Sequence, residues 1–368
     1  MNINPNIEPM LCTECNFEKF EKNSIGLFRR FVAQEKLDGH RAIMLCHDGK
    51  NYFYSRRNSK VTGEKEDNTS KLPFLSNINI NKLLGSDEDF IFDGELTLKY
   101  EKSDSSKVQH ILGSTSERAL NLWQDGYELI YNIFDVIKWD GQDLTRFPLL
   151  ERAMFLNTLY VKLDSFPIPL NIRVEPFNID LSFWALYEDS YFKNPIFKKV
   201  PTYNNLYSAV IDNGGEGIVL KDAYSSYEFK RSNYWLKFKE CKTADLVIMG
   251  FVEPDKYYTG KFDLVELAER GWKYWENGVP VTKTYYNHWV AGIKLGAYKD
   301  GELKYVTTVK GINDNTQEMI KNMDLYNVPI EIMYQNVINQ KTKSLRHPRF
   351  VRFREDKDPK DCLWDNIQ

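Results

Sequence analysis

A lysine, an Asp-Gly pair and an arginine stand in one short run, Lys36-Leu37-Asp38-Gly39-His40-Arg41. Those residue types form a kit for attacking a nucleotide phosphate. Lys36 would be the nucleophile, Asp38-Gly39 the turn that aims it, and Arg41 a hold on ribose or phosphate. Asp-Gly is also among the commonest surface turns, so the run gains its meaning from partners further along the chain.

Three later runs supply them. In Phe92-Asp93-Gly94-Glu95 strand alternation puts Asp93 and Glu95 on one face, with Phe92 and Leu96 on the other. Two carboxylates on an otherwise apolar strand need a partner: a divalent metal, ribose hydroxyls, or simply solvent or a salt bridge. Glu216-Gly217-Ile218-Val219-Leu220-Lys221 adds a carboxylate directly after Gly214-Gly215, and Gly217 would let a ligand approach the backbone. In Trp235-Leu236-Lys237-Phe238-Lys239 the tryptophan and both lysines share one face, while Leu236 and Phe238 pack behind. Paired lysines repel each other, so either an anion such as polyphosphate lies between them or they protect an exposed strand edge. Together these groups make a consistent nucleotidyl-transfer site. Lys36 must lose a proton to attack, which Arg41, Lys237, Lys239 and a metal would favour. Magnesium held at Glu216, partly through water, would neutralise the reacting phosphate.

The elements that position these groups follow from periodicity. An apolar run at 28–32 leads into Lys36 and resumes at 42–46. Strands are expected at 51–58, 90–98, 129–136, 216–221 and 235–240, with a charged connection at 60–70. Helical spacing occupies 107–123 and 148–163, and a third helix ends near 206–211. Beyond 242 the texture changes to short strands at 246–252, 289–298, 302–309 and 330–337, with 316–323 the only convincing helix. That density suggests a small β-barrel joined to a mixed α/β body by a charged hinge at 240–243.

Composition narrows the class. The 368 residues allow two to three domains, and 42% hydrophobic with 27% charged residues is ordinary for a soluble protein. A net charge of −3 rules out a global basic field, so any nucleic-acid surface must be a local patch. The five cysteines, Cys12, Cys15, Cys46, Cys241 and Cys362, show no framework spacing and point to free thiols in a reducing compartment. Cys12-Thr13-Glu14-Cys15 has metal-like spacing, but no second pair completes four ligands. No apolar run is long enough to span a bilayer and no leader is evident, so a cytoplasmic protein is expected.

Taken in order, Lys36 to Arg41, Ser55-Arg56, Phe92 to Glu95, residues 131–136, Glu216 to Lys221, Trp235 to Lys239 and Arg354-Glu355-Asp356-Lys357 span nearly the whole chain. This series resembles the ATP-dependent DNA ligases, in particular the small phage and viral type. They belong to the covalent nucleotidyltransferase superfamily, with RNA ligases and mRNA-capping guanylyltransferases. The resemblance implies an α/β (α+β) nucleotidyltransferase domain, ATP-grasp-like with mixed and antiparallel sheets, over 1–241. A β-barrel OB-fold domain over 242–368 would follow, with an insertion at about 254–288.

It also implies roles. Lys36 would take AMP from ATP, while Arg41 and Arg56 contact ribose, phosphate or the nicked strand. Glu95 would meet the ribose and share a metal with Glu216, and Phe134 would stack on adenine. Lys237 and Lys239 would bind the α-phosphate, and Arg354, Asp356 and Lys357 would orient the leaving pyrophosphate. Where many DNA ligases carry a glutamate two residues before the lysine to read the adenine amino group, this chain has Gln34, with Glu35 beside the nucleophile. Both are assigned to the nucleotide site. The cofactors implied are ATP and Mg2+, with Mn2+ able to substitute. The implied partner is nicked double-stranded DNA, the implied state a monomer, and for a phage-encoded enzyme the compartment is the host cytoplasm.

Two stretches are set apart. Residues 344–354 alternate arginines with apolar residues and resemble the C-terminal signature that separates small DNA ligases from capping enzymes. Arg346, Arg349 and Arg352, with Arg57, are expected to bind DNA. The insertion interleaves Tyr257, Tyr258, Trp272, Tyr274, Trp275, Tyr285 and Tyr286 with Lys256, Lys261, Lys273 and Lys283. It is either a DNA-embracing loop or a self-packed aromatic miniature core, and the second is favoured. The alternatives left open are an RNA ligase, a GTP-dependent capping enzyme, and a non-catalytic OB-fold nucleic-acid binder.

Overall fold

Alternation in the first half of the chain builds strands with two apolar faces. Ala42, Met44 and Cys46 point into one core, while Ile43 and Leu45, between them in sequence, point into another. The computed structural model describes residues 5–17, 20, 30–59, 62–100, 105–166, 170–185, 192–260, 262–323 and 325–368. Residues 28–29 of the expected apolar run, 60–61 of the charged connection, and Lys261 lie outside them. The chain divides into two compact units, Met1–Lys239 and Glu240–Gln368.

In chain order the first unit contains β1 (Leu11–Glu14), β2 (Phe31–Glu35), β3 (His40–His47), β4 (Lys50–Asn58), β5 (Lys65–Asp67), β6 (Phe90–Leu98) and β7 (Leu129–Trp139). It continues with β8 (Gln142–Asp143), β9 (Ile172–Val174), β10 (Phe177–Asp180), β11 (Phe197–Val200), β12 (Gly217–Asp222) and β13 (Arg231–Lys239). Two sheets result. One is mixed, in the order β1-β13-β12-β2-β10-β11. The other runs β5-β4-β3-β6-β7-β8, with β9 parallel to β7.

Four layers follow from which residues are buried together. Helices Ser105–Leu112, Ser116–Gln124 and Leu149–Asp164 cover one face of the second sheet. Between the sheets lie Ile43, Leu45, Ile91 and Ile137 against Val219 and Trp235. Helix Tyr203–Asp212 covers the outer face of the first sheet, over Ala33, Ile218, Leu220 and Phe238.

The second unit carries β14 (Lys242–Val252), β15 (Trp275–Glu276), β16 (Val279–Pro280), β17 (Gly292–Lys299), β18 (Glu302–Val309), β19 (Pro329–Tyr334), β20 (Val337–Asn339), β21 (Ser344–Leu345) and β22 (Arg349–Phe353). Its main sheet is antiparallel, in the order β18-β17-β14-β19-β22, over a core that includes Leu246, Ile293, Leu295, Ile330 and Ile332. Among the described residues no pairing joins β18 to β22. The sheet is a half-barrel where a closed barrel was expected: β22 is short, and hairpin β20–β21 packs beside β18.

Other expectations are corrected by local chemistry. The helical stretch 107–123 is two helices, the second starting on a Thr115 side-chain cap just after Gly113-Ser114. The strand expected over 330–337 is β19 and β20, separated at Gln335-Asn336. Asp314–Lys321 is not the only helix of this half. Leu264–Glu269, with an Asp263–Glu266 capping box, and Lys283–Tyr286 lie inside the insertion. There the rings pack on one another: Trp272 stands edge-on to Tyr258 and Tyr274, and the Trp272 Nε1 donates to Tyr274 O at 3.0 Å. Leu267 and Val281 are buried within the same insertion. Among the described residues no helix is long and apolar enough to cross a membrane.

Candidate active site

Lys36 lies on the crossover from β2 in one sheet to β3 in the other. Its backbone N–H donates to Gly217 O at 2.8 Å, which fixes it beside the start of β12. Its ammonium pairs with Glu216, and both side chains are only partly exposed. The turn after it is held by contact. A Cβ on Gly39 would lie 2.1 Å from Leu96 O, so only glycine lets the crossover press onto β6. Gly217 is also required by its own strand pairing. Its φ is +137°, and a Cβ there would sit 2.0 Å from Phe238 O. The neighbouring strand β13 comes this close.

The β3–β6 register sets Arg41 opposite Glu95. The Arg41 side chain turns to Asp93, with Nε on Oδ1 at 2.9 Å and Nη2 on Oδ2, and Tyr227 donates to Oδ2 at 2.6 Å. The guanidinium lies 5.1 Å from the Phe134 ring centroid and 5.6 Å from that of Trp235. These two rings meet edge-to-face at 6.1 Å. Burial pushes the Glu95 carboxyl up to about 7, opposed by the charges of Lys36 and Arg41 and aided by those of Asp93 and Glu216. Lys36, Glu95, Glu216 and Arg41 are therefore one electrostatic neighbourhood.

Gln34 is buried. Its Nε2 donates to Glu175 O at 3.0 Å, and its Oε1 has no partner. Glu35 ends β2, exposed, with Glu175 and Arg173 as charged neighbours. Lys237 stands opposite Val219 and 3.6 Å from Glu14; Lys239 stands opposite Gly217. Arg56 and Arg57 are exposed at the end of β4, and after burial their charges help to lower the pKa of His40 in the Lys36–Arg41 run.

In the second unit Arg354 and Lys357 both meet Asp245, and Arg352 pairs with Glu331 at 2.6 Å. Arg349 is exposed on β22, and Arg346 is half-buried in the hairpin, its backbone bonded to Gln335 and Asn336.

Sequence reasoning passed over two buried cations. Lys221 donates to Phe134 O at 3.0 Å, and its ammonium lies 4.0 Å from the Trp235 ring centroid and 4.6 Å from that of Phe134. Burial lowers its pKa to about 8. Alternation from Val219 carried the signal, because the two residues share the inward face. Arg152 is fully buried in a fork on Asp135, at 2.8 Å for each bond, and also donates to Phe147 O and Ser225 O. Nothing in its helical spacing marked it.

A cation-binding role for Glu95 and Glu216 is compatible with this chemistry. Both carboxylates bear on Lys36, and among the described residues no group of three or more His, Cys, Asp or Glu side chains gathers. A hard ion would then draw most of its ligands from water and phosphate, as magnesium does.

A family model described as ATP dependent DNA ligase domain matches residues 9–239. The SPbeta prophage-derived DNA ligase-like protein LigB of Bacillus subtilis is 28% identical over 226 residues, covering 61% of this chain and 67% of its own. The DNA ligase of vaccinia virus strain Ankara is 25% identical over 411 residues, covering 98% of this chain, which spans 62% of the viral protein's length. A solved Lig E DNA ligase, described as DNA binding with a minimal scaffold, superposes with a TM-score of 0.55 at 15% identity, over 94% of this chain and 98% of its own. That likeness is one of fold.

Proposed function

The chain belongs to the ATP-dependent DNA ligase family, and we propose that it seals nicks in duplex DNA through a lysyl-AMP intermediate on Lys36. The observation that carries this reading is the Lys36 ammonium seated on Glu216 next to Glu95, at the crossover between two sheets. In the first step the Lys36 Nζ–P bond forms as the bond from the α-phosphorus to the bridging oxygen breaks. Pyrophosphate leaves with the electron pair, and Glu216 is the nearest acceptor for the amine proton. AMP then passes to the 5′-phosphate at the nick, and the 3′-hydroxyl displaces it.

The pocket residues divide the remaining work, chiefly positioning and charge neutralisation. Phe134 is the platform for adenine. The orphaned Gln34 Oε1 suits a donor such as the adenine amino group, since leaving a buried acceptor unpaired costs about 1–3 kcal/mol. Glu35 flanks the nucleotide entrance, and Glu95 takes the ribose. Arg41 lines the pocket and Arg56 reaches the nicked strand. Lys237 and Lys239 receive the α-phosphate, and Arg354 and Lys357 the leaving pyrophosphate. Magnesium, or manganese in its place, would sit at Glu95 and Glu216 and supply charge neutralisation to the reacting phosphate.

The half-barrel serves as the OB-fold, its sheet order supporting that reading, and the division of the chain between Lys239 and Glu240 supports a hinge at 240–243. Arg57, Arg346, Arg349 and Arg352 would hold the DNA backbone of a nicked duplex bound by a monomer.

The test is incubation with magnesium and α-labelled ATP or GTP, followed by a denaturing gel. Label from ATP that is absent in Lys36→Ala, together with sealing of nicked DNA, is expected. Label from GTP would make the protein a capping enzyme, sealing confined to nicked RNA an RNA ligase, and no label a binding module.

A further inference from the structure

On β14 and β19 two carboxylates face each other directly: Asp245 is registered with Glu331. Like charges opposite one another destabilise a sheet unless cations intervene. Each has its own. Glu331 takes the exposed Arg352, while Asp245 takes two cations at once. Arg354 Nη1 donates to the two Asp245 oxygens at 2.9 and 3.0 Å, and Lys357 Nζ donates to Oδ2 at 2.7 Å.

The rest of the cluster is asymmetric. Arg354 turns its Nε and Nη2 to Asp356, at 2.9 Å for the shortest contact of each. The Asp356 side chain is 64% exposed, against 17% for that of Asp245. Asp356 projects from a loop, whereas Asp245 projects from a central strand of the sheet. A cleft of about 200 Å3 is lined by Asp245, Arg354 and Lys357 together with Thr243, Glu331 and Asp361. An incoming polyphosphate oxygen can replace Asp356 on the arginine fork while Asp245 stays behind both cations, keeping them side by side against their mutual repulsion.

We propose that Asp245 is a positioning residue for the ATP-loading step, anchoring Arg354 and Lys357 as a preformed seat for the leaving pyrophosphate, with Asp356 as the exposed carboxylate that the phosphates displace. This rests on the ligase reading above and adds a residue to it. Asp245 itself touches no reacting atom.

Two reactions separate the proposal from a structural role: formation of labelled enzyme-adenylate over a range of ATP concentrations, and sealing of a chemically pre-adenylated nicked duplex, which bypasses ATP. Asp245→Asn should slow adenylate formation by about tenfold or more and weaken inhibition by added pyrophosphate, leaving pre-adenylated sealing intact. Asp245→Glu, which keeps the charge, should recover part of the loss. Glu302→Gln, on the edge strand β18 of the same sheet and outside the cleft, should leave adenylate formation unchanged. Equal loss of both reactions in Asp245→Asn, or equal loss of loading in Glu302→Gln, overturns the proposal. So does unchanged loading in Asp245→Asn. If Asp245→Asn fails to fold, Asp245→Glu decides: selective loss of loading supports the anchor, and uniform loss overturns it. A wild-type protein that takes no label from ATP refutes the ligase reading itself, a distinct result.

Discussion

Arg41 and Asp93 close a two-bond fork across adjacent strands, with Nε on Oδ1 at 2.9 Å and Nη2 on Oδ2, and the carboxylate fully buried. The arginine expected to reach for a nucleotide is thus held by the acidic run expected to reach for a metal. Of the two acids in Phe92-Asp93-Gly94-Glu95, Asp93 is neutralised inside the protein and Glu95 is left to face Lys36.

Breaking one side of that fork strands a buried charge. Arg41→Met should lower unfolding stability by about 3–5 kcal/mol, read from urea denaturation, because Asp93 then keeps the Tyr227 hydroxyl but loses the guanidinium fork. The double variant Arg41→Met/Asp93→Asn should regain much of that loss, the buried charge having been removed. Strictly additive losses would mean that the pair is not coupled.

Gly39 carries a separate prediction. In Gly39→Ala the new Cβ would meet a backbone carbonyl of β6, Leu96 O, at 2.1 Å, and that strand cannot yield easily. The crossover should shift and Lys36 with it. Adenylate formation is expected to fall by about a hundredfold, as an ångström-scale misplacement of a reacting group does. The melting curve should remain cooperative. Wild-type labelling would show that the turn does not aim the amine.

How much of this was legible in the sequence depended on whether one strand carried the signal. In β6 alternation separated Asp93 and Glu95 from Phe92 and Leu96, and the buried clusters divide in the same way. The residues 216–221 also gave a strand, but attention to Glu216 hid Lys221, whose inward aim the same alternation implies. Pairings across distant segments left no such trace. The Arg152–Asp135 fork joins a helix to a strand. The Arg354–Asp245 contact depends on β14, β19 and β22 lying side by side, an order that no local pattern states. Barrel closure is a question of the same kind, since strand count does not specify which edges meet.

Glu95 ties stability and activity to pH in opposite directions. Its carboxyl is pushed up from 4.5 to about 7, chiefly by burial, so between those values the folded protein holds more protons than the unfolded one. Stability of the nucleotide-free protein should therefore decline as pH rises from about 4.5 to about 7, and Glu95→Gln should flatten that slope in a series of denaturation curves. Adenylate formation needs the ionised carboxylate for ribose or metal. It should rise with pH across the same range, with a midpoint that moves lower as magnesium is raised. A midpoint insensitive to magnesium would detach Glu95 from the metal.

Lys221 gives the reverse sign. Its pKa falls from 10.5 to about 8 because burial disfavours the ammonium more than the charges of Asp135 and Asp93 restore it. Between about 8 and 10.5 the folded state binds fewer protons than the unfolded state, so this lysine's contribution to stability grows as pH rises and is lost as pH falls through about 8. In Lys221→Met that alkaline increment should vanish. The substitution also removes the hydrogen bond to Phe134 O and the cation packed against its ring. If the bond fixes the adenine platform, half-saturation of adenylate formation should shift to higher ATP while the maximal rate changes little. Loss of the pH increment without a shift in ATP dependence would make Lys221 a buried charge unconnected with nucleotide binding.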